Sequence, residues 1–325
     1  MRHPDLRLIY PLLEQLADGR FHSGRELGER LGVSRGAIWK RLRSATDLGL
    51  QVQAVSGKGY RLARPLELLR AESIATTLNG HSRALLGRLE ILPGTDSTNR
   101  HLLELGKGGA ACLAEYQWAG RGRRGRRWHT PFGAGICLSV SWRFDHSAAA
   151  LSGLSLAAGV WTAEALRAAG VEGVGLKWPN DLLHEGRKLA GVLIEVQGEA
   201  DGPCLAVVGV GVNLEMSRLA GQRIGQPWTD LRAVTGRRPR RNHLAGLLLH
   251  HVLTGLFRYQ REGLEGILER WSELDCLAGR PVRLRHPAGE LLGTAQGVDR
   301  AGALLLRSAE GVRAIHSGEV SVRLQ

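Results

Sequence analysis

Lysine is scarce in this chain. Only Lys40, Lys58, Lys107, Lys177 and Lys188 occur, although Lys and Arg together number 44 against 31 Asp and Glu. Arginine therefore supplies the generic positive charge, and a position that keeps lysine suggests a need for a compact ammonium. Cysteine is as sparse. Cys112, Cys137, Cys204 and Cys276 lie far apart with no paired spacing. That excludes a zinc or disulfide framework and points to buried free thiols in a reducing cytoplasm. None of the 12 histidines stands in an H-E-x-x-H. No apolar run approaches the ~18 residues of a membrane span, so no membrane partner is expected. The N-terminal stretch holds Asp5, Glu14 and Asp18 and no small-residue cleavage site, unlike a signal peptide. No G-x-x-x-x-G-K-[ST] occurs, so γ-phosphoryl transfer is unsupported. There is no internal repeat and no low-complexity tract.

What the chain does have is positive charge. A net +13 favours a polyanionic or phosphate-bearing partner. The excess is uneven, since residues 1–64 carry 12 Lys/Arg against 6 Asp/Glu. Its length of 325 residues suggests two or three domains. The densest charge is the stretch Gly120-Arg121-Gly122-Arg123-Arg124-Gly125-Arg126-Arg127-Trp128, with no acid in it. Arginine presents planar donors suited to carboxylate and phosphate, and glycine lets backbone approach a ligand. Mutual repulsion predicts a loop that orders around an anion. The glycines also spell G-x-G-x-x-G, with Asp145 downstream. A dinucleotide site needs a helix directly after them, and Pro131, Gly133 and Gly135 follow instead.

Along the chain, helices are expected over 6–18, over 24–31 with Ser23 as cap and Glu26 completing a capping box, and over 35–49 with Ser34 as cap. Two short strands then flank the turn Ser56-Gly57-Lys58-Gly59. This is a helix-turn-helix with a β-wing. Its candidate DNA contacts are Ser23, Ser34, Arg35, Lys40, Arg41, Arg43 and Lys58. Pro65 marks a boundary. A short helix is expected over 73–78, a strand over 89–92, and a helix capped by Ser97-Thr98-Asn99, where a helix N-terminus can also take a polar ligand group. Strands are expected over 111–117 and 136–144, and a long helix over 151–169. Gly175-Leu176-Lys177 ends as a strand at Trp178-Pro179-Asn180-Asp181. A hairpin follows, its second strand opening on Lys188. The strand over 204–212 carries Gly209 and Gly211, which leave room for a ligand. Residues 216–228 read as a mobile loop, and 243–261 as a helix. Short strands over 281–284, 291–298, 303–307, 312–316 and 320–324 read as a small β-barrel.

A basic glycine loop, a lysine opening a strand and glycines lining its neighbour suit activation of an acid by ATP. Charge builds on the phosphoryl oxygens there, and Arg121, Arg123 and Lys188 are the cations to stabilise it.

Ser97-Thr98-Asn99, Glu115-Tyr116-Gln117, residues 120–128, 177–181, 187–191 and 209–213 resemble, in order and spacing, the bacterial bifunctional biotin–protein ligases that also repress the biotin operon. The winged helix fits their DNA-binding domain. Gly297-Val298-Asp299 and Gly318-Glu319-Val320 fit their terminal barrel. The resemblance covers essentially the whole chain. It implies an α+β multidomain fold: a winged helix-turn-helix over 1–64, a mixed α/β ligase domain with a class II synthetase-like sheet over 65–275, and an SH3-like barrel over 276–325. It implies biotin and Mg2+-ATP as substrates, biotinyl-5′-adenylate as the activated product, and a lysine of a biotin carboxyl carrier protein as acceptor. By the same resemblance Ser97, Thr98, Asn99, Gln117, Gly120, Arg121, Gly122, Arg123, Lys188, Gly191, Gly209 and Gly211 serve biotin. Arg121, Arg123, Arg124, Trp128, Lys177, Asn180 and Asn213 serve ATP, and Asp181 orients or deprotonates the incoming lysine. Operator DNA and a ligand-induced homodimer complete the expected partners. The competing readings are a lipoate–protein ligase and a metabolite-sensing repressor without catalysis. Trp39 is bulky for a base reader, and Arg313-Ala314-Ile315-His316 lacks the aromatic associated with that part of the barrel.

Overall fold

The structure is a computed structural model and describes residues 5–199, 201–217, 221–222, 224–286, 289–316 and 321–324. Helices α1 (Leu6–Leu16), α2 (Gly24–Leu31) and α3 (Arg35–Asp47) enclose a small core built on Leu12, Leu13, Leu16, Leu27 and Ile38. Ser23 Oγ accepts from the Glu26 amide at 3.0 Å and Ser34 Oγ from the Ala37 amide at 3.2 Å. Only half of the expected capping box forms, because the Glu26 carboxylate pairs with Arg30 at 2.7 Å. The wing is β1 (Val52–Val55) against β2 (Gly59–Leu62), antiparallel. Tyr60 also exchanges backbone hydrogen bonds of 2.9 and 2.8 Å with His22. A Cβ on Gly59 would lie 2.1 Å from the His22 carbonyl, so this third pairing needs glycine.

The linker after the wing is clamped rather than free. Glu67 accepts from the Arg241 and Asn242 amides at 2.7 and 3.0 Å, and the Arg70 amide donates to Asn242 Oδ1 at 2.8 Å. Beneath it Glu115 and Arg241 form a buried ion pair. Glu115 also accepts from the Leu69 amide at 2.6 Å. Helix α4 (Ala71–Ala75) follows, earlier than the expected 73–78. Its start is fixed by the Arg70–Asn242 bond and not by a Ser73 cap. The short helix α5 (Gly80–Leu85) was not anticipated.

The central sheet contains β3 (Arg88–Leu92), β4 (Ala110–Ala114), β5 (Gly135–Phe144), β6 (Val174–Lys177), β7 (Asp181–His184), β8 (Arg187–Gly198) and β9 (Cys204–Asn213), in the order β3-β4-β5-β9-β8-β7-β6. Only β3 and β4 run parallel. Helices α6 (Thr98–Leu105), α7 (Leu154–Ala168), α8 (Leu231–Thr235), α9 (Arg241–Glu262) and α10 (Glu265–Leu274) complete the domain. Neither α8 nor α10 was anticipated; Asp230 caps α8, accepting from the Ala233 amide at 2.8 Å, whereas α10 has no side-chain cap. Side chains alternate across a strand. One face of the sheet offers Leu113, Leu138, Val140, Val208 and Val210 to the main core with α7 and α9. The other offers Ala110, Cys112 and Val207 to Leu102 of α6. Further along that second face stand Cys137, Ser139, Gly191, Gly209 and Gly211, small residues that leave space. The site lies there.

The stretch Ala148–Ala168 is long and apolar enough by composition to cross a membrane, contrary to the expectation that no run comes close. It is apolar because α7 is buried nearly all round, from Leu154 to Leu166. At the C-terminus β10 (Pro281–His286), β11 (Gly289–Val298), β12 (Leu304–Ser308), β13 (Gly311–Ile315) and β14 (Ser321–Leu324) form an antiparallel sheet in the order β13-β12-β11-β10-β14. The described pairings do not join β13 to β14, so what is seen is a sheet, and Gly318-Glu319-Val320 lies outside the described residues. The four cysteines are free thiols, three of them buried.

Candidate active site

The second face of the sheet floors a cavity of about 460 Å3. Its first wall is the N-terminus of α6. Ser97 caps that helix, and Gln117 Oε1 accepts from the Thr98 amide at 2.7 Å and from its hydroxyl at 3.1 Å. Ser139 Oγ lies 2.7 Å from Thr98 Oγ1 and 2.6 Å from Asn99 Oδ1. Asn99 Nδ2 donates to Glu195 Oε2 at 2.9 Å. Ser97, Thr98 and Asn99 are all buried and line the cavity, but only Ser97 caps the helix. Thr98 and Asn99 lie in its first turn, and the Asn99 side chain serves the cavity wall instead of a cap, contrary to the capping reading for it. Gly209 leaves the space that Asn99 occupies: a Cβ there would stand 2.3 Å from Asn99 Oδ1 and displace that side chain.

The second wall is the arginine loop. Gly120 accepts from the Trp128 amide at 2.9 Å, and the Gly122 amide donates to Arg126 at 2.7 Å, which folds the loop back on itself. Strand β5 follows rather than a helix, consistent with rejecting a dinucleotide site. Arg121, Gly122 and Arg123 line the cavity; Gly120 closes the loop's base, and Arg124, in a left-handed conformation (φ 58°), is exposed outside it. Burial, then the neighbouring Arg126, lowers the Arg123 pKa, and Asp181 works against that shift. Trp128 reaches across the floor. A Cβ on Gly211 would fall 2.5 Å from its ring, and its buried indole N–H has no acceptor among the described residues.

Opposite the loop, Lys188 opens the inner part of β8 at a register shift against β7. Its ammonium pairs with Asp181 and lies 5.6 Å from the Trp128 ring centroid. Asn180 Nδ2 donates to the Val192 carbonyl at 2.7 Å, and Asn213 Nδ2 to the Thr229 carbonyl at 3.0 Å, so both amides shape the wall that they line. Gly191 gives Lys188 room, with a Cβ there only 3.1 Å from its Nζ. Lys177 stands apart, in an adjoining cavity of about 240 Å3 that shares Arg123, Asp181 and Lys188 with the first. The Trp178 indole beside it donates to the Gly302 carbonyl at 3.1 Å, tying the C-terminal domain to this turn.

Ser139 and Glu195 are among the residues that escaped sequence reading. Ser139 is hidden in an ordinary alternating strand. Glu195 carried a signal: it is the lone acid of an apolar stretch, residues 191–196. Cys137 sits on the floor, but burial pushes its thiol up to about 11, so it is no nucleophile near neutral pH. The loop over 216–228 is described only in part; Ile224, Gly225, Gln226 and Trp228 reach the cavity. On the winged helix, Arg35, Lys40 and Arg43 are exposed on α3, and Lys58 is exposed at the wing tip. Arg41 is half-buried on the flank facing the core.

A sheet with one emptied face, a helix N-terminus and a cationic loop around a single cavity define an acid-activating ligase. The Biotin/lipoate A/B protein ligase family model matches residues 92–213, the HTH domain model residues 10–61, and the Biotin protein ligase C terminal domain model residues 278–323. The bifunctional ligase/repressor BirA of Escherichia coli is 44% identical over 315 residues, 96% of each chain. Its counterpart in Bacillus spizizenii is 31% identical, across 94% of this chain and 95% of that one. The solved biotin protein ligase of Aquifex aeolicus, in complex with biotin and ATP, superposes with a TM-score of 0.64 at 26% identity, covering 74% of this chain and all of that one. The chain belongs to the family of bifunctional biotin ligase–repressors.

Proposed function

We propose that this protein activates biotin with ATP, transfers it to a lysine of a biotin carboxyl carrier protein, and represses transcription through its winged helix with the adenylate as corepressor. One observation carries this: Arg121, Arg123 and Lys188 converge on the same cavity as the Ser97–Asn99 helix start and the emptied sheet face. In the first step a biotin carboxylate oxygen bonds to the α-phosphorus of Mg2+-ATP, and pyrophosphate leaves. Arg123 and Lys188 stabilise the charge that builds on the phosphoryl oxygens. In the second, the carrier lysine amine attacks the acyl carbon of the adenylate, AMP leaves, and Asp181 takes the proton. Thr98, Asn99 and Gln117 supply the fixed donors and acceptors for the ureido ring, and Trp128, Asn180 and Asn213 shape the nucleotide side.

The same reading divides the chain at 1–64, 65–275 and 276–325. It takes the central sheet as class II synthetase-like and the C-terminal sheet as an SH3-like barrel. The protein acts in the cytoplasm, and two copies pair when the adenylate is bound. Incorporation of labelled biotin into a carrier domain tests the reading directly. Incorporation of lipoate instead would assign the related chemistry, and incorporation of neither would leave a repressor without catalysis.

A further inference from the structure

Trp39 has no task in the reading so far. Helix α3 turns Ile38, Leu42 and Ala45 into the core. Its opposite side exposes Arg35, Gly36, Trp39, Lys40 and Arg43. Arg35, Trp39 and Arg43 stand four residues apart in turn and so form one row along the helix. The helix carries no acid before Asp47. Trp39 keeps 49% of its surface in solvent. The Arg43 guanidinium lies 4.9 Å from its ring centroid. A tryptophan left half-exposed among cations suits a partner that is anionic and carries an apolar feature. In the major groove the only apolar group on a base edge is the thymine C5-methyl. An indole has one donor and no acceptor, so it cannot read a base edge bidentately; it can cover a methyl. Arg43, already stacked, loses less freedom on reaching a neighbouring base or phosphate.

We propose that Trp39 reads a thymine methyl in the major groove, with Arg43 stacked on its ring as the positioned cation beside it. This rests on the DNA-binding reading above. Lys40, on the flank of the row, contacts phosphate and carries no sequence information.

The test uses the full-length protein with biotin and ATP present. Binding sites are selected from random duplex DNA, and each thymine of the recovered site is replaced by uracil, which lacks only the methyl. One thymine per half-site should weaken wild-type binding by about fourfold when replaced, the factor for one methyl-sized group leaving an apolar contact. Trp39→Ala should be indifferent to that replacement, and Trp39→Gln should match it, with thermal unfolding and biotin incorporation as in wild type. Lys40→Ala should weaken all sequences alike and reduce the salt slope by about 1. A Trp39→Ala protein that keeps the uracil penalty overturns the inference. A wild-type protein that biotinylates its carrier but selects no DNA sequence overturns the DNA-binding reading and this inference with it.

Discussion

Arg121 of the glycine loop is tied to Glu195 of β8, with Nη1 3.3 Å from Oε1. The other oxygen of that carboxylate holds Asn99. One side chain therefore joins the loop, the floor and the helix start of the cavity.

Glu195→Ala should therefore loosen Asn99 and raise KM for biotin about three- to tenfold, the range for losing one ordinary hydrogen bond. The turnover number should change less, because the variant keeps Arg121, Arg123 and Lys188 and removes only the carboxylate that Arg121 rests on. Glu195→Gln keeps an acceptor for Asn99 and should recover most of the lost affinity. Steady-state biotin-dependent pyrophosphate exchange checks both variants; an unchanged KM in Glu195→Ala would remove the positioning role.

Lys188 answers to a different measurement. Without ligand its ammonium rests on Asp181. Lys188→Ala leaves developing phosphoryl charge without that cation and should slow adenylate synthesis by about 10²–10³. Exchange within about threefold of wild type, well below that range, would sink the assignment. Asp181→Asn should spare exchange and slow transfer from preformed adenylate to the carrier, since its proposed task belongs to the second step.

The loop over 120–128 holds five arginines; Arg121 is tied to Glu195 and Arg127 to the Trp118 carbonyl, and the rest of the positive charge repels itself within nine residues. Trypsin should cut there quickly in the free protein and slowly once biotin and ATP have formed the adenylate. Equal cleavage in the two states would count against a lid.

Much of this site was legible because its chemistry is local. Ser97 is read as a cap from the residues around it, and the arginine loop from its own letters. The residues that complete the site act across long separations. Ser139 meets Thr98 and Asn99 only because β5 passes under α6. Glu115 meets Arg241, 126 positions away. No periodicity encodes either contact. The same reason explains α4, whose start is set by Asn242 of a distant helix.

The clamp on the linker after the wing has a pH signature. Burial would raise the Glu67 pKa, but hydrogen bonds from Asn242 and Arg241 outweigh it and hold it below the ordinary 4.5. A depressed carboxylate contributes stability above its unfolded pKa and loses it as pH falls through the folded value. Glu67→Gln should thus lower the melting temperature at neutral pH, and the gap from wild type should close as pH drops below about 4.5. Thermal unfolding over pH 3–7 reads this; a gap that persists at pH 3 would show that the carboxylate's charge is not what the clamp uses.

The final prediction concerns assembly. β7 supports β8 only as far as Gly191, opposite Asp181, whereas β9 pairs with it to Gly198. Among the described residues, 193–198 are therefore paired on one side, and Val196 is exposed. An open edge of this kind invites strand pairing with a second copy. The edge follows directly on the floor of the cavity, and Glu195 within it holds the loop arginine, so a ligand that draws Arg121 inward alters the edge itself. One recognition helix makes few base contacts, and two on a palindrome double them. Biotin with ATP should therefore shift the protein toward dimer in sedimentation and raise operator affinity. Val196→Lys, an edge charge that opposes strand pairing, should block both while exchange continues. Apo-carrier should compete if it docks on the same edge. If the monomer–dimer equilibrium and operator affinity are indifferent to the adenylate, the chain is a ligase with a DNA-binding domain and no ligand switch between them.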